Sequence, residues 1–78
     1  MTCESCSMPM VADTDHGAAD PANRYCRYCT DAAGVLRPYD AVLADFTALL
    51  VRTHGLDEAA ARQTSAGIMA AQPAWSGR

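Results

Sequence analysis

Four cysteines dominate the chemistry available to this chain: Cys3, Cys6, Cys26 and Cys29, set in two C-x-x-C pairs with nineteen residues between them. A tetrahedral Zn²⁺ needs four ligands about 2.3 Å away when they are sulfur. A C-x-x-C turn presents two sulfurs to one ion while its backbone amides point at the thiolates. Two such turns close a four-thiolate shell with no position left for water or substrate, which makes a site structural rather than catalytic. The spacing C-x₂-C-x₁₉-C-x₂-C lies within the range of zinc sites of this type. The reading is therefore one Zn²⁺ per chain, held by Cys3, Cys6, Cys26 and Cys29.

Competing chemistries for the same thiols are two local disulfides, a redox dithiol or an iron centre. Disulfides within C-x-x-C close very small loops and add little stability. A thioredoxin-like dithiol would precede a long helix in a βαβ setting, and neither pair here does. Iron fits a tetrahedral set of four sulfurs as zinc does and stays open. His16, in Asp-His-Gly-Ala-Ala-Asp, reads as an exposed loop histidine rather than a fifth candidate ligand. His54 suits a helix C-terminus, where the dipole favours a cation. Ser5, Ser7 and Thr30 near the cysteines have no histidine at a motif-like spacing, so the chain reads as a non-enzyme.

Those cysteines must be positioned by a chain of 78 residues, one domain at most. Domains of this size bury too little surface to be secure without a staple. Candidate core residues are Val42, Leu43, Phe46, Leu49, Leu50, Leu56, Ile68 and Met69, with Met8 and Met10 read as further core. Residues 1–37 are rich in Cys, Asp, Pro and Gly. Short strands are expected at Met8–Val11 and after Gly34, and an exposed loop at Asp13–Asn23. Tyr25 and Tyr28 are expected to pack on this part or on the helices, and Arg24 and Arg27 either to offset the charge of the site or to be solvated.

From 38 to 75 the pattern is helical. Val42, Phe46, Leu49, Leu50 and Thr53 share one face. Pro38 and Asp40 suit the first turn, and His54-Gly55 the end. Leu56-Asp57-Glu58 then opens a second helix with Asp57 as N-cap. Ala61, Thr64, Ser65, Ile68 and Gln72 would line its face, Gly67 would permit close approach of the first helix, and Pro73 would stop it. So short a link predicts an antiparallel hairpin.

All six basic residues are arginines against nine acids, a net charge of −3. Four thiolates around one Zn²⁺ add two further negative charges, taking the protein to about −5. Such a protein is poorly suited to gripping phosphates, so nucleic-acid binding is the lesser alternative. No stretch approaches the ~18 apolar residues of a membrane span. The N-terminus has no secretory pattern, so the expected location is cytoplasmic, where thiols stay reduced.

Cys3-x-x-Cys6-Ser7-Met8-Pro9-Met10 and Tyr25-Cys26-Arg27-Tyr28-Cys29 together resemble the zinc ribbon domain family of small bacterial proteins. Its members look like C-x-S-C-G-M-P-[LM], then Y-C-x-Y-C, then a helical tail ending near L-P-x-[WL]. Gln72-Pro73-Ala74-Trp75 matches that end, so the resemblance covers nearly the whole chain. It implies metal ligation by the same four cysteines and says almost nothing of activity. Ser7 stands where the family carries glycine, and a residue with a Cβ in a left-handed turn costs about 1 kcal/mol.

The expected fold is thus a small zinc-stabilised α+β domain over 1–78: a zinc-ribbon-like double knuckle (1–37), followed by an antiparallel helical hairpin packed on it (38–75). The expected role is a protein-interaction or regulatory module, acting through a protein partner or self-association of the hairpin. Nucleic-acid binding and thiol or zinc redox sensing are the alternatives.

Overall fold

Two helices and a turn-rich N-terminal half make up the computed structural model, which describes residues 1–77. Arg78, one of the six arginines, lies outside the described residues. Helix α1 runs Tyr39–His54 and α2 runs Glu58–Ala70. Pro38 is the N-cap of α1; its fixed φ suits a helix entry, and its carbonyl accepts from Val42 N–H at 3.1 Å. Asp40 lies in the first turn and Arg52 and His54 in the last, matching the dipole at both ends. Gly55 closes the helix at φ 66°, a left-handed cap where a Cβ is penalised. Two residues on, the Asp57 carboxylate accepts from Ala60 N–H at 2.7 Å and starts α2. Pro73 then opens a single 3₁₀ turn, Pro73–Trp75.

The helices pack on each other. On α2 the buried positions are Ala61, Ser65 and Met69, four residues apart and so on one face. On α1 they are Val42, Leu43, Thr47 and Leu50. This face is rotated from the expected one. Phe46, Leu49 and Ile68 are half-buried, and Thr53 and Thr64 are exposed. The reason lies in α1 itself, which carries apolar residues over two adjacent faces. Packing against α2 and against the cysteine cluster goes with the face through Val42, Leu43 and Thr47. Gly67 is exposed, and a Cβ there would meet nothing within 4 Å, so the expected close approach of α1 is not made.

The expected strands are corrected as well. Among the described residues the β structure consists of three isolated antiparallel bridges, Thr2–Pro9, His16–Cys26 and Thr30–Leu36. Each is a pair flanked by two backbone bonds, as Cys3 N–H to Met8 C=O (2.8 Å) and Met10 N–H to Met1 C=O (2.8 Å) flank the first. Pro9 thus occupies a position where no N–H is required. The chain reverses within a few residues of each bridge, so no ladder extends.

Asp13–Asn23, expected to be an exposed loop, contains two 3₁₀ turns, Asp13–Asp15 and Gly17–Ala19, and buries His16 and Gly17. Asn23 organises it. Its amide donates to the carbonyls of Gly34 (3.0 Å) and Gly17 (3.2 Å), and its side-chain oxygen accepts from Tyr25 N–H (3.0 Å). A Cβ on Gly17 would lie 2.5 Å from Thr30 Oγ1, so this crossing accepts glycine alone.

One apolar cluster joins the halves: Cys3, Cys26 and Cys29 pack with Met10, Val42, Leu43 and Met69. Met10 and Met69 are core, as expected, and Met8 is packed against it.

Candidate metal centre

The two C-x-x-C segments fold as turns, and the turns bring their sulfurs together. In the first, Ser7 N–H returns to Cys3 C=O at 2.9 Å; in the second, Cys29 N–H returns to Cys26 C=O at 3.1 Å. Thr30 Oγ1 caps the second by donating to the same Cys26 carbonyl at 3.0 Å. The loops are tied to each other by Glu4 N–H to Arg24 C=O (3.0 Å) and by Cys26 N–H to Cys3 Sγ (3.1 Å). Ser7 adopts φ 65°, the left-handed conformation that its position in the turn demands.

The four Sγ atoms lie within 4.8 Å of one another. Three separations are 3.8 Å (Cys3–Cys29), 3.7 Å (Cys6–Cys26) and 3.6 Å (Cys26–Cys29). A tetrahedron with a metal–sulfur distance of 2.3 Å has an edge of about 3.8 Å, and these three separations match it. They are too far apart for disulfides, whose S–S bond is about 2.05 Å, and all four cysteines are free. Cys3, Cys26 and Cys29 are buried and Cys6 is half-buried. His16 is not in the group.

Thiols this close share their protons. Hydrogen bonds from Cys26 and then Cys29 hold Cys3 far below the usual thiol range, helped by the Cys26 backbone N–H. Cys26 is lowered to about 7, chiefly by Cys29. Cys6 and Cys29 are pushed up, both chiefly by Cys26. Burial raises all four. The four thiols compete for their protons, and a bound cation is what permits all four to ionise.

Ser5, fully buried inside the first loop, connects the centre to the far end of the chain. Trp75 Nε1–H donates to Ser5 Oγ at 2.9 Å, and Ala74 N–H donates to Glu4 C=O at 3.1 Å. The Ser5 backbone N–H in turn donates to Cys3 Sγ at 3.4 Å. Trp75 also meets Tyr39 edge-to-face, with centroids 5.3 Å apart. The sequence reading assigned Ser5 no such role. Its signal was the pairing of C-x-S-C at one end with a terminal tryptophan at the other, which no local spacing reveals.

Near the site some expectations hold and others are corrected. His16 is buried, not exposed: its bridge to Cys26 turns it inward, where Nδ1 lies 2.8 Å from Asn23 C=O. Tyr25 packs on the cluster, but Tyr28 is exposed, held by Arg27, whose guanidinium sits 4.8 Å over its ring and donates to its hydroxyl. Arg24 is exposed and points to Glu4 at 3.9 Å. His54 is exposed at the end of α1 beside Thr53 Oγ1. No helix among the described residues is long and apolar enough to cross a membrane.

Against known proteins, residues 2–75 match the family described as "Putative zinc ribbon domain". No curated protein and no solved structure matches the chain.

Proposed function

The chain belongs to the zinc ribbon domain family, and from that premise we propose that Cys3, Cys6, Cys26 and Cys29 bind one structural Zn²⁺ per chain in a double knuckle. On this reading α1 and α2 form an antiparallel hairpin over the knuckles, and the protein is a protein-interaction or regulatory module, not an enzyme. The observation that carries the reading is that the four sulfurs lie within 4.8 Å of one another, three of their separations being 3.6–3.8 Å, the edge of a tetrathiolate tetrahedron.

Four thiolates fill the shell of the ion, so it has no open position for chemistry. Its contribution is to folding, because the free energy of binding such an ion becomes free energy of folding. The buried cluster explains the dependence: three of the four cysteines are part of the only large apolar cluster that joins the halves among the described residues. The interaction role is supported by apolar surface that this cluster leaves uncovered, including half-buried Met8, Phe46 and Leu49. A reducing compartment such as the cytoplasm keeps the thiols competent for metal.

Cobalt substitution tests the ligand set. Reconstitution with Co²⁺ is expected to give the visible d–d bands and thiolate charge-transfer absorption of a tetrahedral tetrathiolate, saturating at one equivalent. Each Cys→Ser variant should weaken and shift them. A spectrum typical of octahedral or nitrogen-rich cobalt would overturn the assignment.

A further inference from the structure

The four cysteines of the metal centre are not equally sheltered. Cys3 and Cys26 have no exposed surface and Cys29 is 2% exposed, whereas Cys6 is half-buried. Cys6 also lines the groove of about 610 Å³ that runs between the cysteine loops and α1. Beside it in that groove are Ser7 and Pro9, both exposed, and half-buried Met8. Cys29 borders the same groove but is nearly closed off from solvent. Cys3 is shut in further, because its sulfur accepts from Cys26 N–H at 3.1 Å and Ser5 N–H at 3.4 Å. Access from solvent therefore leads first to Cys6.

The charge of the centre favours attack from that side. Four thiolates around one Zn²⁺ leave two uncompensated negative charges, and the nearby arginines are engaged elsewhere. Arg24 points to Glu4, Arg27 donates to the Tyr28 hydroxyl, and Arg37 pairs with Asp45. The sulfurs thus stay electron-rich, and oxidation of cysteine follows thiolate character and exposure. A second thiolate stands within reach of Cys6. Cys26 Sγ lies 3.7 Å from Cys6 Sγ, twenty residues away on the other loop. Cys3, in the same loop as Cys6, is the poorer partner: two backbone N–H groups hold its sulfur, and a C-x-x-C bridge closes a very small loop.

We propose that Cys6 is a site of oxidation by hydroperoxides, and that Cys26 resolves it into a disulfide joining the two loops. In the first step the Cys6 sulfur attacks a peroxide oxygen. An S–O bond forms, the O–O bond breaks, and the peroxide takes two electrons from sulfur. The hydroxide or alkoxide that leaves is protonated by solvent. In the second step the Cys26 sulfur attacks the sulfur of the Cys6 sulfenic acid; an S–S bond forms and hydroxide departs. The two sulfurs close from 3.7 Å to about 2.05 Å. Two of the four ligands are then spent, and the remaining pair cannot complete a tetrahedral shell. Cys26 packs with Met10, Val42, Leu43 and Met69, so the same event loosens the joint between the halves. The proposal rests on the reading of the four cysteines as ligands of one Zn²⁺ and adds the route by which that state is lost.

The test treats the zinc-loaded full chain with substoichiometric hydrogen peroxide and maps the products by mass spectrometry. Trypsin cuts after Arg24 and Arg27, which keeps Cys3 and Cys6 in one peptide and separates Cys26 from Cys29. With dimedone present to trap sulfenic acid, the adduct is expected on Cys6, located by fragmentation of that first peptide. Without dimedone, the expected product joins the first peptide through Cys6 to Tyr25-Cys26-Arg27. One zinc should be released to a chromogenic chelator per disulfide formed. The chain stripped of metal and unfolded in urea should show no preference among the four thiols. An adduct first on Cys3, Cys26 or Cys29, a disulfide of any other pairing, the same preference in the unfolded chain, or thiols that survive millimolar peroxide would each overturn the proposal. Zinc content measured before the oxidant is added reports on the zinc reading separately. A zinc-loaded protein that oxidises elsewhere, or not at all, therefore overturns this proposal alone.

Discussion

Trp75 and Ser5, seventy positions apart in sequence, meet through one hydrogen bond of 2.9 Å between the indole N–H and the serine hydroxyl. Ser5 lies between Cys3 and Cys6 in sequence and is fully buried. The last turn of the described chain is thereby fastened to the metal loop at its start. A double-mutant cycle of Ser5→Ala and Trp75→Phe should return a coupling of about 0.5–1.5 kcal/mol in urea unfolding. Either substitution should also hasten zinc loss to a chelator. Strict additivity would show that the bond contributes nothing in solution.

Ser7 holds a backbone angle of φ 65° that glycine adopts without penalty. Ser7→Gly should stabilise the zinc-loaded protein by about 0.5–1 kcal/mol, the relief of left-handed strain less the added freedom of the unfolded chain. Thermal unfolding of the two proteins at equal zinc measures it. A destabilised glycine variant would mean that the turn relaxes to negative φ in solution.

How far such features were legible in sequence depends on their range. The cysteine cluster, the ends of both helices and the left-handed Ser7 are local matters: a spacing, a cap, a turn. Pro38, Gly55 and Asp57 announced their positions because each satisfies the backbone within four residues. The face of α1 was not legible, because Val42, Leu43, Phe46, Leu49 and Leu50 leave two adjacent apolar faces, and contacts with α2 and with the cysteine cluster decide between them. His16 was misread for the same reason. Its burial is set by a bridge to Cys26 ten residues later. The strands failed because a pairing of one residue leaves no alternation to detect or to extend.

Thr47 Oγ1 and Ser65 Oγ, both buried in the helices, lack a hydrogen-bond partner among the described residues. A buried hydroxyl without a partner opposes folding. Thr47→Val and Ser65→Ala should therefore be neutral or stabilising by up to about 1 kcal/mol in urea unfolding. A loss exceeding about 1 kcal/mol would show that the hydroxyl is satisfied in solution.

Asp15 Oδ2 accepts from Ala12 N–H at 2.9 Å and Val11 N–H at 3.0 Å, and these two bonds lower its pKa from the ordinary 3.8. The ionised form is favoured by folding. Its contribution is fully present above the unfolded value, and it declines as pH falls through the lowered folded value. An NMR titration following the Asp15 carboxyl carbon should give a midpoint below 3.8, and Asp15→Asn should remove this part of the acid dependence. A midpoint at or above the ordinary value would show that the two amide bonds do not form.

The central claim is that one zinc ion, held by Cys3, Cys6, Cys26 and Cys29, maintains the fold. Its most direct test is elemental analysis of protein purified without added zinc, paired with circular dichroism before and after chelation. The account predicts one zinc per chain and loss of structure when it is removed. Iron in its place, no metal, or a metal-free chain that remains fully folded would contradict it.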